Sequence, residues 1–387
     1  MIALLAMCLT WLLRKIAMEI IPINRPLLNE EEVKAVAKVL RSGILTSRAQ
    51  SGSMVGEFEK AFAHFVEAKH AFAVSSGTAA LHLSLLASGV GHGDEVIVPS
   101  FTFVATAETV VLVGAKPVFV DIDPESYNVD SEKIRKAITK RTKAIVPVDI
   151  FGLPADTKPI KEIADEHYLM VVEDAAQAHG ARYMGKSAGN FADLACWSFY
   201  ASKNMTTGEG GMITTDSDKF AERLPCMRTH GETGEYVSTM IGGNFRMPEV
   251  EAAIGCVQLR KLPLFLKARR KNAEGLLSRL VGLNWLQLPA VPKSYEHSWY
   301  LFTLKLKEDD AKRRDRVVSE LRKLGIGATV YYPTPIHMMP FYRGFSKQRL
   351  PNTEKAARQV LSLPVHPGVT MEQIDHIASS VKKMKKA

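Results

Sequence analysis

The stretch VVEDAAQAHG, residues 171–180, carries the strongest structural signal in the chain. It continues an apolar run that begins at Leu169 and ends in the acidic residues Glu173 and Asp174. A carboxylate at the exit of an apolar strand is costly unless it has a partner. We therefore predict a buried strand that brings Asp174 to a sheet edge, where the carboxylate either meets a cationic N–H group or caps a helix.

Short apolar runs alternate with helical patterns on both sides of this stretch. This alternation is typical of strand–helix–strand units in a mainly parallel sheet. The predicted strands are Ala71–Ser75, Glu95–Val98, Pro117–Asp121, Lys143–Val148, Leu169–Glu173, Ala195–Phe199 and Met212–Thr215. The predicted helices between them include Thr78–Ala87, Val104–Val113, Ser131–Thr139 and Lys158–His167. We predict an α/β fold whose large domain, residues 21–255, has a mainly parallel seven-stranded sheet flanked by helices.

The pattern changes after Pro248. The charged, amphipathic stretch 248–280 predicts a bridging helix that is interrupted at Pro263. The predicted strands beyond it are Trp299–Leu306 and Thr329–Tyr332, and the predicted helices are Ala311–Leu324, Glu354–Leu361 and Met371–Lys383. Residues 256–387 should therefore form the bridging helix and a smaller C-terminal α/β domain.

The composition excludes several protein classes. With 387 residues, 46% hydrophobic and 24% charged, the chain is globular, not disordered or fibrous. The net charge of +9 comes with only short basic runs and no zinc-ligand spacing. We expect no metal site and no nucleic-acid partner, whereas the excess positive charge suits an anionic small substrate. The scattered cysteines, without any C-x-x-C spacing, indicate a reducing, cytoplasmic setting.

Residues 1–20 form an apolar N-terminal extension. Residues 2–13 are nearly all apolar, and Arg14 and Lys15 follow them. The apolar run is too short to span a membrane, and a secretory signal would carry its positive charge before the run. We expect no stable membrane insertion and interpret the extension as a start-site overcall, with Met18 as the natural start. Membrane tethering is the alternative.

Two further stretches follow predicted strands. Residues 75–80, SSGTAA, place small side chains and free backbone N–H groups at a helix N-terminus, which is typical of a phosphate cradle. A simple helix cap with a glycine turn is the alternative for this stretch. Phe103 follows the next strand and could stack on a flat ring at the same sheet edge, although it could also be a core side chain.

Lys203 completes the set. It ends the run SFYASK, residues 198–203, which precedes Gly208, Gly210 and Gly211. A lysine in apolar surroundings can lose its proton and attack an aldehyde, while a carboxylate such as Asp174 keeps a pyridine nitrogen protonated. The phosphate turn, aromatic ring, acid and lysine occur in a functional order at successive strand ends. The combination predicts an enzyme that uses pyridoxal 5'-phosphate.

The chain resembles the DegT/DnrJ/StrS-type sugar-nucleotide aminotransferases, which have the aspartate-aminotransferase-like fold, fold type I, of pyridoxal-phosphate enzymes. The resemblance runs from about Ile21 to the C-terminus. Its marks are Arg25-Pro26, Ser42-Gly43 to Thr46, residues 76–81, residues 173–177, residues 198–203, residues 208–211 and residues 243–247.

The resemblance assigns roles to individual residues. It implies that Thr78, Ala79 and Ser198 hold the phosphate and that Phe103 stacks on the ring. Asp174 would pair with the ring nitrogen, Gln177 would lie near the phenolic oxygen, and Lys203 would form the internal aldimine. Asn244 would reach the phosphate of the neighbouring subunit, which implies a homodimer with shared active sites. Tyr332 and His337 match a stretch near the substrate.

The implied reaction moves an amino group from an amino acid, with glutamate the expected donor, to a nucleotide-linked keto sugar by a ping-pong mechanism. Lys203 argues against the sugar dehydratases of the family, which typically carry histidine at that position. A free keto-cyclitol as acceptor, or a regulatory or binding homologue without catalysis, remains an alternative. Relatives commonly carry Gly-Pro where this chain has Ser47-Arg48-Ala49, close to the sugar nucleotide, so the substrate is less well defined than the reaction.

Overall fold

A seven-stranded sheet forms the centre of the computed structural model, which describes residues 20–46, 53–234, 236–346 and 348–386. The expectations for residues 1–19, including the start at Met18, and for Ser47-Arg48-Ala49 lie outside the described residues. The strands of this sheet and of the smaller sheets are, in chain order, β1 (His70–Val74), β2 (Glu95–Pro99), β3 (Lys116–Val120), β4 (Thr142–Ile145), β5 (Met170–Asp174), β6 (Arg182–Tyr183), β7 (Lys186–Ser187), β8 (Leu194–Ser198), β9 (Gly211–Thr215), β10 (Glu232–Gly234), β11 (Val237–Ser238), β12 (Leu286–Gln287), β13 (Tyr295–Glu296), β14 (Phe302–Leu306) and β15 (Val360–Leu363).

The order of the large sheet is β1, β9, β8, β5, β4, β2, β3. The strands from β8 to β3 are parallel to one another, while β9 runs antiparallel to both β1 and β8. The mainly parallel seven-stranded sheet predicted from the sequence is therefore confirmed. Because β1 also runs in the direction of these five strands, six strands have their carboxyl ends at one edge.

Helices cover both faces of this sheet. In chain order the helices are α1 (Glu30–Ser42), α2 (Met54–Phe65), α3 (Gly77–Ala87), α4 (Ala105–Leu112), α5 (Ser131–Ala137), α6 (Thr157–Glu166), α7 (Asp218–Met227), α8 (Glu249–Leu280), α9 (Ala311–Lys323), α10 (Pro351–Gln359) and α11 (Met371–Lys383). Alternate strand residues face opposite sides: Val172 joins the core under α3 and α4, while Val171 packs towards α6. Both faces are buried, which explains why the strands are continuously apolar.

A second core surrounds the three-stranded sheet β12–β14–β15. It contains Phe302, Leu321 and Ile377, together with Leu276 from the end of α8. Ile21 also packs there and pairs through its backbone with Gly325 and Gly327. The division at residues 255 and 256 stays a prediction. In the described part of the chain, none of the helices combines the length and the hydrophobicity that crossing a bilayer requires.

The predicted interruption at Pro263 is wrong, because α8 runs without a break from Glu249 to Leu280. Proline removes one helical hydrogen bond and crowds the preceding turn. Here α8 packs against α1, α2 and α11 along its length, and Leu259 and Leu262 are buried next to the proline. Tertiary packing therefore outweighs the local cost.

Two predicted elements near the C-terminus also differ. Thr329–Tyr332 is not a strand: only Thr329 pairs, with Ser362, and the chain then reaches Pro333 and Pro335, which lack N–H donors for a ladder. The predicted helix Glu354–Leu361 ends at Gln359. Residues 360–363 instead form β15, which pairs antiparallel with β14.

Pro263 offers a test of this packing argument. The ring of Pro263 is exposed, so replacing it by alanine loses little buried surface and restores the N–H donor to the helix. We predict that Pro263→Ala raises the free energy of unfolding of the cofactor-loaded protein by about 1–3 kcal/mol in chemical denaturation. Pro351→Ala is the control, since Pro351 occupies the first turn of α10, where proline is tolerated. A loss of stability in Pro263→Ala would contradict the argument.

Candidate active site

The site lies at the edge of the large sheet where the parallel strands end. Asp174 is the last residue of β5, and its backbone bridges Val148, just beyond β4. It also pairs with Cys196 of β8, two residues before Ser198 at the end of that strand. The register thus brings Asp174 and Ser198 from separate stretches of sequence to one edge.

The predicted phosphate turn begins α3. Ser76 is extended and caps the helix, because its Oγ accepts from the Ala79 N–H at 3.0 Å. A Cβ on Gly77 would lie 2.8 Å from Ser198 Cβ, and a Cβ on Gly211 would lie 2.3 Å from the Ser76 carbonyl oxygen. Glycine is therefore required at both positions for the turn to lie against the ends of β8 and β9. The turn is a helix cap as well as a candidate anion site.

Asp174 is the acidic centre of the site. It is 6% exposed, and its two carboxylate oxygens accept from Thr106 Oγ1 at 2.8 Å and from the Ala176 N–H at 3.2 Å. Burial raises the pKa of Asp174, while the Thr106 hydrogen bond and the nearby Lys203 ammonium oppose that rise. A buried carboxylate in this state is suited to pairing with a protonated N–H group.

Sequence reasoning missed Thr106. It lies in the first turn of α4, and its N–H donates to the Phe103 carbonyl at 3.3 Å. The same short segment therefore presents the Phe103 ring and holds Asp174. The side chain of Phe103 is 57% exposed, so a face of the ring is free for stacking. The only sequence signal for Thr106 is its position three residues after Phe103.

Lys203 lies in the loop after β8. Its N–H donates to the Tyr200 carbonyl at 2.9 Å, and its Nζ lies 4.9 Å from the centroid of the Tyr300 ring. The Tyr300 hydroxyl is 3.0 Å from Ser202 Oγ, which fixes the ring beside the loop. Tyr300 is a second residue that sequence reasoning missed, because the predicted strand Trp299–Leu306 includes it, whereas the observed strand begins at Phe302.

Gln177 joins two segments of the site. Its Oε1 accepts from the Phe151 N–H at 2.7 Å, and its Nε2 donates to the Tyr332 hydroxyl at 3.2 Å. The Tyr332 ring also lies 6.5 Å, centroid to centroid, from Phe103. Burial raises the pKa of Tyr332, so its hydroxyl stays protonated. Tyr332 is therefore placed with Gln177 and Phe103 in one group.

His179 packs among aromatic rings and does not hold Asp174, whose oxygens are bound by Thr106 and Ala176. Its ring lies 5.4 Å from Trp197 and 5.7 Å from Phe199, between centroids. Burial, with a smaller contribution from Lys203, lowers the pKa of His179 to about 3. The imidazole is neutral, and its role is packing.

His337 and Asn244 lie at the periphery. His337 is buried, with Nδ1 2.7 Å from Ser100 Oγ and Nε2 3.8 Å from Glu354. Burial lowers its pKa, and Glu354 opposes this shift. Asn244 is exposed beside the phosphate turn, since the carbonyl of the adjacent Phe245 accepts from the Ser75 N–H at 2.9 Å. Within the described residues, no group of histidine, cysteine or acidic side chains could hold a metal ion.

The donor set fits pyridoxal phosphate. The glycine-lined turn of α3 suits a phosphate, the exposed Phe103 ring suits a flat pyridine, and the buried Asp174 suits a protonated ring nitrogen. Lys203 supplies a primary amine, and its charge is close enough to Asp174 to lower the pKa of that carboxyl group. These residues come from four segments that only the fold brings together.

Comparison with known proteins identifies related aminotransferases. The family model of the DegT/DnrJ/EryC1/StrS aminotransferase family matches residues 26–382. GDP-perosamine synthase of Caulobacter vibrioides is 41% identical over 336 residues, covering 86% of this chain and 90% of that protein. UDP-N-acetyl-3-dehydro-alpha-D-glucosamine 3-aminotransferase of Acidithiobacillus ferrooxidans is 42% identical over 315 residues, covering 81% of this chain and 84% of that protein.

A solved structure is also similar. The PLP-form of Spr1654 from Streptococcus pneumoniae superimposes with a TM-score of 0.89 at 28% identity, covering 94% of this chain and 98% of that one. The protein is a pyridoxal-phosphate-dependent transaminase, and the chain belongs to the DegT/DnrJ/EryC1/StrS aminotransferase family.

Proposed function

We propose that this enzyme transfers an amino group from an amino acid, with glutamate as the expected donor, to a keto sugar attached to a nucleotide. The observation that carries the proposal is the convergence of Asp174 and Lys203 beside the glycine-lined turn of α3. The two relatives described above are named for GDP-linked and UDP-linked sugars, which supports a nucleotide-linked acceptor. The net charge of +9 suits such an anionic substrate.

When bound, pyridoxal phosphate supplies an aldehyde that takes up the amino group and a ring that withdraws electrons. Asp174 keeps the proton on the ring nitrogen, and Thr106 orients the carboxylate. Thr78, Ala79 and Ser198 bind the phosphate, while Phe103 stacks on the ring. Gln177 orients Tyr332 towards the substrate side.

Lys203 has two roles in this account. Its Nζ would hold the cofactor, and its amine would also act as the base that takes up and returns the proton at the substrate carbon. The Tyr300 ring, 4.9 Å from Nζ, stabilises the ammonium that forms when Lys203 takes up that proton. Donor and acceptor use the same site in turn, so the kinetics are ping-pong.

We also propose a homodimer in which Asn244 of one subunit binds the cofactor phosphate of the other. The exposure of Asn244 next to the turn of α3 supports this arrangement, because the side chain is open to a second chain. His337 supports the substrate side indirectly, through Ser100. The described cysteines Cys196, Cys226 and Cys256 are free, which is compatible with the cytoplasmic location expected from the sequence.

A two-step experiment tests the function. Addition of glutamate to the purified enzyme should convert the cofactor absorbance to that of the amino form, and a nucleotide-linked keto sugar should then restore the original absorbance. A free keto-cyclitol is the control for the alternative acceptor. We predict that Lys203→Ala lowers turnover at least about a hundredfold, while Lys219→Ala, at an exposed lysine of α7, leaves it unchanged.

Three outcomes would contradict parts of the proposal. If only the keto-cyclitol restores the absorbance, the amino acceptor is a cyclitol and not a sugar nucleotide. A deoxygenated sugar without nitrogen would indicate a dehydratase. A wild-type protein that binds the cofactor but gives neither half-reaction would favour the regulatory alternative.

Thr106→Val tests the support of Asp174. Valine keeps the shape but removes a hydrogen bond to a charged group, worth about 1.5–3 kcal/mol, so kcat/KM should fall about tenfold or more. Because this bond lowers the pKa of Asp174, its loss raises that pKa, and the acid limb of the pH profile should move to higher pH. Thr109→Val is the matched control, since Thr109 bonds only within its own helix. An unshifted acid limb in Thr106→Val would refute the role of Thr106.

Gly77→Ala tests the phosphate turn. The added Cβ would lie 2.8 Å from Ser198 Cβ, so the turn must move away from the strand ends. We predict that the Kd for pyridoxal phosphate rises about tenfold, or about 1.4 kcal/mol, in a fluorescence titration. Gly91→Ala serves as control, because a Cβ at Gly91 meets no atom within 4 Å. Unchanged affinity in Gly77→Ala would place the phosphate elsewhere.

A further inference from the structure

Two buried carboxyl groups, Asp149 and Glu173, lie next to Asp174 and have no part in the reaction described above. Both are 0% exposed. Asp149 follows β4, while Glu173 is the penultimate residue of β5 and faces the opposite side of the strand from Asp174. Asp149 Oδ1 accepts from the Ala155 N–H at 2.8 Å, and Glu173 Oε1 accepts from the Gly189 N–H at 2.8 Å.

One oxygen of each carboxyl group, Asp149 Oδ2 and Glu173 Oε2, is buried and has no hydrogen-bond donor among the described residues. The Val148–Asp174 backbone bridge and the hydrogen bond from the Asp149 N–H to the Asp174 carbonyl place the two acids side by side, and each carboxyl group shifts the pKa of the other. Two carboxylates accept hydrogen bonds but cannot donate one. A hydrogen bond between them therefore requires a proton, and a dry interior strongly favours its uptake.

The charged and titratable groups around the pair do not neutralise it. Asp174 adds a further negative charge, while the Cys196 thiol lies on the Asp174 side of the sheet and, like the Tyr295 hydroxyl that Asp149 influences, is neutral. Burial raises the pKa of Asp149 well above its ordinary value, with the Glu173 charge as the next cause, and burial also raises the pKa of Glu173. The Lys203 charge lowers the pKa of Asp174, whereas the shifts of the pair come from burial, acidic neighbours and backbone N–H groups.

Hydrogen bonds of the backbone connect the pair to residues that are proposed to bind the cofactor. The Asp149 N–H donates to the Asp174 carbonyl at 3.1 Å, and the Asp174 N–H donates to the Pro147 carbonyl at 2.9 Å. The turn after Asp149 presents the Phe151 N–H to Gln177 Oε1 at 2.7 Å. Displacement of Asp149 would therefore move the backbone of Asp174 and the support of Gln177 together.

We propose that Asp149 and Glu173 share one proton and form an acid clamp that positions Asp174 and Gln177 towards the cofactor. The clamp joins the ends of β4 and β5 beneath the site, so the two residues are positioning residues. The inference rests on the proposed roles of Asp174 and Gln177 in binding pyridoxal phosphate.

Infrared spectroscopy tests the shared proton directly. The wild-type enzyme at pH 7 should show the carbonyl stretch of a protonated carboxylic acid, and the double variant Asp149→Asn, Glu173→Gln should lack it. Glu95→Gln is the matched control. Glu95 is a buried acid at the start of β2, away from the sheet edge that carries the site, and it is paired with Arg141 at 2.7 Å. The band should persist in this control. Its absence from the wild-type spectrum would overturn the proposal.

Cofactor binding tests the positioning role. Glutamine at position 173 can donate to Asp149 and accept from Gly189, so Glu173→Gln should keep the Kd for pyridoxal phosphate within about threefold of wild type. Glu173→Met removes the pairing, so the Kd should rise at least about tenfold and the visible circular dichroism of the bound cofactor should change. An unchanged Kd and dichroism in Glu173→Met would overturn the clamp. If Glu173→Met does not fold, Asp149→Leu is measured in the same way.

The pH dependence of unfolding gives a third readout. The folded pair keeps its proton above the pKa of about 4 that these groups have when unfolded, so its stabilisation is present at low pH and is lost as the pH rises. From about pH 5 upward, the ratio of the wild-type unfolding constant to that of Glu173→Gln should rise by up to about tenfold per pH unit. A constant ratio would overturn the shared proton. These spectroscopic and stability readouts are independent of any sugar substrate, so they separate failure of the clamp from failure of the proposed reaction.

Discussion

The buried carboxylate of Asp174 is the constraint on which the site depends. A carboxylate at this depth needs partners, and the chain supplies a hydroxyl from Thr106 and a backbone N–H from Ala176. These two donors hold the group in place and leave it able to meet a protonated ring nitrogen. These donors offset part of the energetic cost of burying Asp174, and in the proposed complex the ring nitrogen of the cofactor would offset more.

The topology of the sheet explains how the remaining groups reach Asp174. The parallel strands β2, β5 and β8 end at one edge, and each is followed by a segment that contributes to the site: Phe103 with Thr106, Gln177, and Lys203. The antiparallel strand β9 begins at Gly211, which lies against the turn of α3. Tyr332 and Tyr300, which precedes β14, both pack in a separate cluster around Phe101 and Phe151. A rigid sheet edge with short following loops favours a preorganised site.

Local patterns predicted much of this arrangement. The seven strands follow from continuous apolar runs, and the central residues Asp174 and Lys203 follow from polar groups at strand exits. Thr106 and Tyr300 could not be predicted in this way, because their roles depend on which side chain they face across the fold. Pro263 shows the reverse error: a strong local signal for interruption yields to the packing of α8 on three helices. Residues 329–332 are predicted as a strand, but the prolines that follow favour a turn, and this turn brings Tyr332 to Gln177.

Reductive trapping would test the central claim most directly. Borohydride treatment of the cofactor-loaded enzyme, followed by peptide mass mapping, locates the lysine that carries the cofactor. We predict that the added mass lies on the peptide containing Lys203 and that prior incubation with the amino donor prevents the modification. Modification of another lysine, or a loaded enzyme with no modified lysine, would contradict it.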